Sequence, residues 1–241
     1  MTRICRYLPL FLLLVCIQVA SAQSRFDLNL GFGFAHDKAT GQGIEGDYSG
    51  PNSLNFSGTC TVGVASDPTC AKTPALSDFM MGIGGDLMLW KRLGLGADVS
   101  FMPAKLTYGS FAALQSGGII FQPPYQDQIR TTFYGFNALF EPVTSKKAIL
   151  QLHGGIGGVN VKFYQNQVIS GSLIGSSNAS QYFGSSNHFQ IPFGAGVQIF
   201  VTDHWYVRPE FVAHFVPNFA QFGSNLVMSG MVWVGYSFGD H

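Results

Sequence analysis

Charge is scarce in this chain. Lys and Arg number 13 and Asp and Glu 13 in 241 residues, so charged side chains make up 11%, against roughly 25% in an ordinary soluble domain. No basic excess or patch exists to neutralise phosphates, which excludes ordinary nucleic-acid binding. Aromatic content of 14% with a net charge of zero excludes a disordered chain. Long apolar runs are also missing. Beyond the first 22 residues no segment holds 18 consecutive apolar residues, so no membrane-spanning helix is expected. Cysteine numbers four, and two of these, Cys5 and Cys16, lie in the first 22 residues. There is no CxxC, HExxH, paired histidine, GxxxxGK[ST] or EF-hand loop, so no zinc, nucleotide or calcium site and no cofactor is expected.

The first 22 residues have the form of an export signal. Arg3 and Arg6 give a positive start, Tyr7 to Ile17 is apolar but for Pro9, and Ala20-Ser21-Ala22 is a small-x-small cleavage pattern. Cleavage after Ala22 divides the chain into a signal peptide, 1–22, and one mature domain, 23–241. Removing Arg3 and Arg6 leaves 11 basic against 13 acidic residues, a formal charge of −2. The two remaining cysteines, Cys60 and Cys70, lie in one Gly/Ser/Pro/Thr-rich stretch of an exported chain, and a disulfide is expected between them.

What the mature chain has in abundance is a period of two. Phe26, Leu28, Leu30, Phe32 and Phe34 alternate with Asp27, Asn29, Gly31 and Gly33. A helix would scatter these residues around its circumference, whereas a strand sorts them onto opposite faces. The alternation returns over Ser77 to Trp90, Leu93 to Met102, Ile129 to Glu141, Ile149 to Phe163, Asn187 to Phe200, Trp205 to Phe215 and Asn225 to Phe238. In Ile149 to Phe163 the apolar phase changes from Leu150, Leu152 and Ile156 to Val159, Val161 and Phe163, which predicts a β-bulge at Gly157-Gly158. The result is eight strands, most of about 10–15 residues, against about 9–11 for a strand that crosses a membrane and about 5–6 in soluble sheets.

The connections alternate long and short. His36 to Leu76 is long, Lys91-Arg92 is tight, and Pro103 to Gln128 and Pro142 to Ala148 repeat the contrast. Tyr164 to Ser186 and Val201 to His204 repeat it again, and Val216 to Ser224 is intermediate. Long external loops and short periplasmic turns give this rhythm in membrane barrels. The polar face is Gly, Asp, Ser and Gln with almost no Lys, while the other face is Phe, Leu, Val, Ile and Ala without charge. Water would be met by long charged side chains, and hydrocarbon by the uncharged face, where a charge costs about 2–4 kcal/mol at mid-bilayer. The expected fold is therefore all-β: a closed, antiparallel, up-and-down, eight-stranded transmembrane β-barrel.

With its signal, its eight alternating strands and its closing strand Met231-Val232-Trp233-Val234-Gly235-Tyr236-Ser237-Phe238, nearly all of the mature chain resembles the small eight-stranded outer-membrane barrels, the family that includes outer membrane protein A and protein X. The resemblance implies a bacterial outer-membrane location, outer-membrane lipid and the barrel assembly machinery as partners, and a role in membrane integrity or adhesion. In that family a terminal aromatic is recognised during assembly. Phe238 fills the role here, with Gly239-Asp240-His241 following it.

Asp86, Asp98, Arg208 and Glu210 are the expected interior polar network. Arg208 and Glu210 are two apart on one strand, and parity turns Asp86 and Asp98 inward at comparable height. Charges inside a narrow barrel must be paired or wet, so these residues are expected to fill the lumen and hold register. The functional reading is a structural or surface-interaction barrel without catalysis, with a small pore as the alternative and a lipid-modifying enzyme less favoured. His153, His188 and His214 face inward by parity, and no histidine lies on the apolar face beside a serine. In the long loops, where an extracellular ligand would bind, Gly171 to Ser186 is expected to be a mobile Gly/Ser/Asn stretch. The apolar run Phe111 to Tyr125 is expected either to extend its hairpin or to pack over the mouth.

Overall fold

A computed structural model describes residues 25–37, 43–45, 59–60, 70–72, 76–111, 115–116, 119–120, 125–171, 174–217, 219 and 224–239. Every regular element among them is a strand. Eight strands form the wall: β1 (Arg25–Asp37), β2 (Ser77–Met88), β3 (Leu93–Phe101), β4 (Tyr125–Thr144), β5 (Ala148–Gly171), β6 (Ile174–Phe200), β7 (Trp205–Phe215) and β8 (Leu226–Phe238). Each pairs antiparallel with its neighbour in sequence, β8 returns to β1, and the β4–β5 pairing completes the ring. Closure matters because lipid cannot hydrogen-bond an open strand edge.

Strict alternation places the side chains. On β1, Phe26, Leu28, Leu30, Phe32 and Phe34 point outward and are 40–66% exposed, while Asp27 and Asn29 are 0% and 2% exposed. The same inversion holds around the ring, with Phe136, Ile156, Phe193 and Phe211 outward and Asn137, Gln190, Glu210 and Trp233 inward. Aromatics gather where the ring closes. Phe26 pairs with Phe238 and their rings stack at 6.0 Å, with Tyr236 4.7 Å from Phe238 and 5.2 Å from Trp205. Directly after Phe238, Gly239 takes φ 114°, a conformation that suits glycine, and the strand ends.

Two expectations are corrected. The predicted bulge at Gly157-Gly158 is absent. These residues pair with Tyr134 and Gly135 of β4 and with Phe189 and Gln190 of β6 in unshifted register. The β4–β5 register shifts instead between Phe140 and Val143. With no added residue, Val159, Val161 and Phe163 keep the inward parity of Gln151 and His153 and are buried inside the barrel. Second, the described residues from Gly171 to Ser186 do not form a loop. β5 and β6 remain paired from Ala148↔Ile199 to Gly171↔Ile174, with shifts only after Phe163 and Ile169. Asp98 pairs with Gly84 and Asp86 with Gly96, so the two acids take successive inward positions, two residues apart, on the β2–β3 hairpin. Most of the Phe111 to Tyr125 region lies outside the described residues, and its two ends continue the hairpin. Leu106–Phe111 pairs with β4 over Tyr125 to Ile129, in the direction of β3.

Two prolines interrupt the ladders of β6. Pro209 has no N–H to donate, and the β6–β7 pairing passes from Gly196↔Glu210 to Ile199↔Val207 without Val197 and Gln198. On the other side of β6, Pro192 coincides with the break between Gly154↔Phe193 and Gly157↔Gln190. Both ladders resume in the same register.

Candidate functional site: the filled interior

Inward residues form two tiers. Near the periplasmic end is an ionic network on two arginines. Arg208 reaches Asp86 at 2.5 Å, Gln151 Oε1 at 2.6 Å and Glu210 at 3.1 Å. Glu210 also accepts the Trp233 indole N–H at 3.0 Å and lies 3.9 Å from His153. Asn29 donates to Asp86 at 3.3 Å and accepts the Tyr206 hydroxyl. Arg25 pairs with Glu141 and with Asp27 at 3.1 Å, and Gln198 donates to Asp27 at 3.3 Å. Seven strands are tied across the lumen in this way, at side chains that are almost all less than a tenth exposed. Such charges survive burial because each guanidinium meets two carboxylates, and Arg208 an amide oxygen as well.

Of the four residues expected from sequence, Asp86, Arg208 and Glu210 are in direct contact. Asp98 stands one step away, accepting from Asn137 Nδ2 at 2.7 Å. Sequence reasoning passed over Arg25, Asp27, Glu141, Gln151 and Tyr206. Parity was the available signal: Arg25 is two residues before Asp27, and Glu141 shares the inward face of Asn137.

Several inward glycines exist for one ring. A Cβ on Gly31 or Gly82 would stand 2.6 and 2.7 Å from atoms of the Trp233 indole. The indole fills the cross-section there, with the Arg208 guanidinium 5.8 Å from its ring. Above it the second tier is apolar. Met80, Met102, Ile129, Phe133, Val159, Val161 and Phe163 converge with Val216 and Phe219, which the chain after β7 turns back inward. Phe219 meets the His188 ring edge-on at 5.2 Å. Between the tiers, His214 hydrogen-bonds Ser229 Oγ and Gln190 Oε1, both at 2.9 Å.

This serine–histidine pair was not expected. Ser229 is 2% exposed and His214 6%, so neither presents a reacting atom to lipid or solvent. The interior spaces beside Trp233 are two voids of about 20 Å³ each, each close to the room one water occupies. Among the described residues no group of three or more His, Cys, Asp or Glu is arranged to hold a metal ion. Cys60 and Cys70 lie on the outer strands of a small sheet whose middle strand is Gly43–Glu45. Their side chains, and with them the expected disulfide, fall outside the described residues, as does the Ala22 cleavage point.

The chain belongs to the outer membrane protein beta-barrel domain family, whose model matches residues 8–214. It is thus a β-barrel protein of the bacterial outer membrane. No curated protein matches the chain. Among solved structures, Ail of Yersinia pestis, the attachment invasion locus protein, in complex with the heparin analogue sucrose octasulfate, is 10% identical with a TM-score of 0.47, over 90% of this chain and 99% of that one. OprG of Pseudomonas aeruginosa is 13% identical with a TM-score of 0.47, over 90% and 98%. Neisserial surface protein A is 11% identical with a TM-score of 0.45, over 89% and 96%.

Proposed function

We propose that this protein is a non-conducting, non-catalytic barrel that serves as a structural and surface-interaction element of the outer membrane, with its lumen closed by its own side chains. The observation that carries the reading is the two-tier filling, an ionic network under an apolar layer, with two small interior voids of about 20 Å³ each beside Trp233. Solutes crossing the barrel would have to displace the Trp233 indole and Phe133 and separate Arg208 from its carboxylates. Long hairpins above the membrane, β5–β6 foremost, supply the surface an extracellular ligand would meet. Phe238 at the closing seam is the proposed recognition residue for assembly, Ala22 the cleavage point, and Cys60–Cys70 the cross-link of the first loop.

Planar-bilayer recording of the purified barrel tests the reading. The expected outcome is no stable conductance above baseline for wild type, and channel openings once Trp233→Ala and Phe133→Ala are combined. A stable wild-type conductance would instead establish the small-pore alternative.

A further inference from the structure

The outer wall carries a furrow that the filled lumen does not account for. It is a broad, shallow depression, largely open on its outer side, with a volume of about 750 Å³. Two rows of outward residues border it, following the pairing direction across β5 to β2. One row runs Ala195, Phe211, Gly230, Phe34, and the other Leu150, Val197, Pro209, Val232. Its floor lies at Gly230 and Ala195, which are small where their neighbours Phe34, Phe211 and Leu150 are bulky. A Cβ built on Gly230 meets nothing within 4 Å.

The furrow climbs. Leu150 is the third residue above the periplasmic turn at Lys146-Lys147, whereas Phe34 is the tenth of the 13 residues of β1. Rows perpendicular to strands tilted about 40° rise about 12 Å over the four spacings of about 4.8 Å from β5 to β1, most of the depth of one leaflet of a roughly 30 Å hydrocarbon core. Its lower mouth opens beside charge. Lys146 and Lys147 are exposed, and the neighbouring turn adds exposed Lys91 and Arg92, whose carbonyl accepts the Glu141 N–H at 2.9 Å. Four of the 11 basic residues of the mature chain thus sit on two adjacent periplasmic turns. The β6–β7 turn carries Asp203 instead.

We infer that this furrow and the Lys146-Lys147 turn form a binding site for one anionic glycerophospholipid of the periplasmic leaflet, its phosphate held at the lysines and one acyl chain laid along Leu150, Pro209 and Gly230. The wall faces hydrocarbon, so an acyl chain is the material at hand. Selection among chains comes from packing contact, because lipid tails are as apolar as the wall. Selection among headgroups comes from the basic turn. The inference rests on the outer-membrane location and is independent of whether the lumen conducts.

Native mass spectrometry of the full barrel, released from detergent with added dipalmitoyl phosphatidylglycerol or phosphatidylcholine, tests it. Wild type is expected to retain one phosphatidylglycerol in preference to phosphatidylcholine. Lys146→Gln with Lys147→Gln should lower phosphatidylglycerol retention about ten- to thirtyfold, from the worth of two lysines near a lipid surface, and leave phosphatidylcholine unchanged. Gly230→Leu, which fills open space, should lower retention of both lipids at an unaltered unfolding midpoint, and Ala195→Leu should repeat the result should Gly230→Leu fold poorly. Equal retention by wild type and all variants, equal retention of the two lipids by wild type, or a second copy of the chain in place of lipid would each overturn the inference.

Discussion

Arg208 holds Asp86, Gln151 and Glu210 in one contact set at the barrel axis. Removing one partner of a buried ion pair leaves uncompensated charge and costs about 3–5 kcal/mol. Arg208→Met should therefore lower the unfolding free energy of the folded barrel by about that amount, read by denaturant titration in lipid vesicles. A change below about 1 kcal/mol would mean that water, not Arg208, balances the two acids. Gly82 tests the same cross-section by addition. Its Cβ would stand 2.7 Å from the Trp233 ring, and overpacking a filled core costs about 1–3 kcal/mol. Gly82→Ala is expected to destabilise by that much. Where Trp233→Phe accompanies it, much of the penalty should disappear, because the larger ring is what the glycine accommodates.

At the scale of the strand, β5 is the informative element. Its unshifted register puts Phe163 inside at 4% exposure and leaves Ile156 facing lipid at 61%. Phe163→Ala should cost about 3–5 kcal/mol, the price of a buried phenylalanine cavity. Ile156→Ala should cost much less, because lipid refills the space it leaves. Equal costs would restore the bulge that the alternation in sequence suggests. The reason that suggestion failed is specific. Val159, Val161 and Phe163 are apolar because they build the inner cap, and apolarity identifies the lipid face only where the lumen is polar. Strands with a polar inner face, such as β1 and β7, were legible as strands with the apolar face outward, and Asp86, Arg208 and Glu210 as inward charges. Arg25 and Glu141 were legible in parity but not as partners, since the contact joins residues 116 apart. The β5–β6 hairpin was hidden for the opposite reason. Its Gly/Ser/Asn run has no apolar rhythm above the membrane, yet backbone pairing continues through it.

For the whole molecule, the pattern of exposed Phe, Leu and Val outside and Asp, Arg and Trp inside is the inverse of a soluble barrel. It follows from solvent: hydrocarbon accepts uncharged side chains, and the enclosed lumen accepts charge only in compensated sets. Spin labels placed singly along β1 from Phe26 to Phe32, leaving out Gly31, with the barrel in lipid vesicles, test this most directly. The Phe26, Leu28, Leu30 and Phe32 positions are expected to relax with membrane-dissolved oxygen, and the Asp27 and Asn29 positions to be shielded from it. Oxygen access at Asp27 and Asn29, with the phenylalanines screened, would contradict the account.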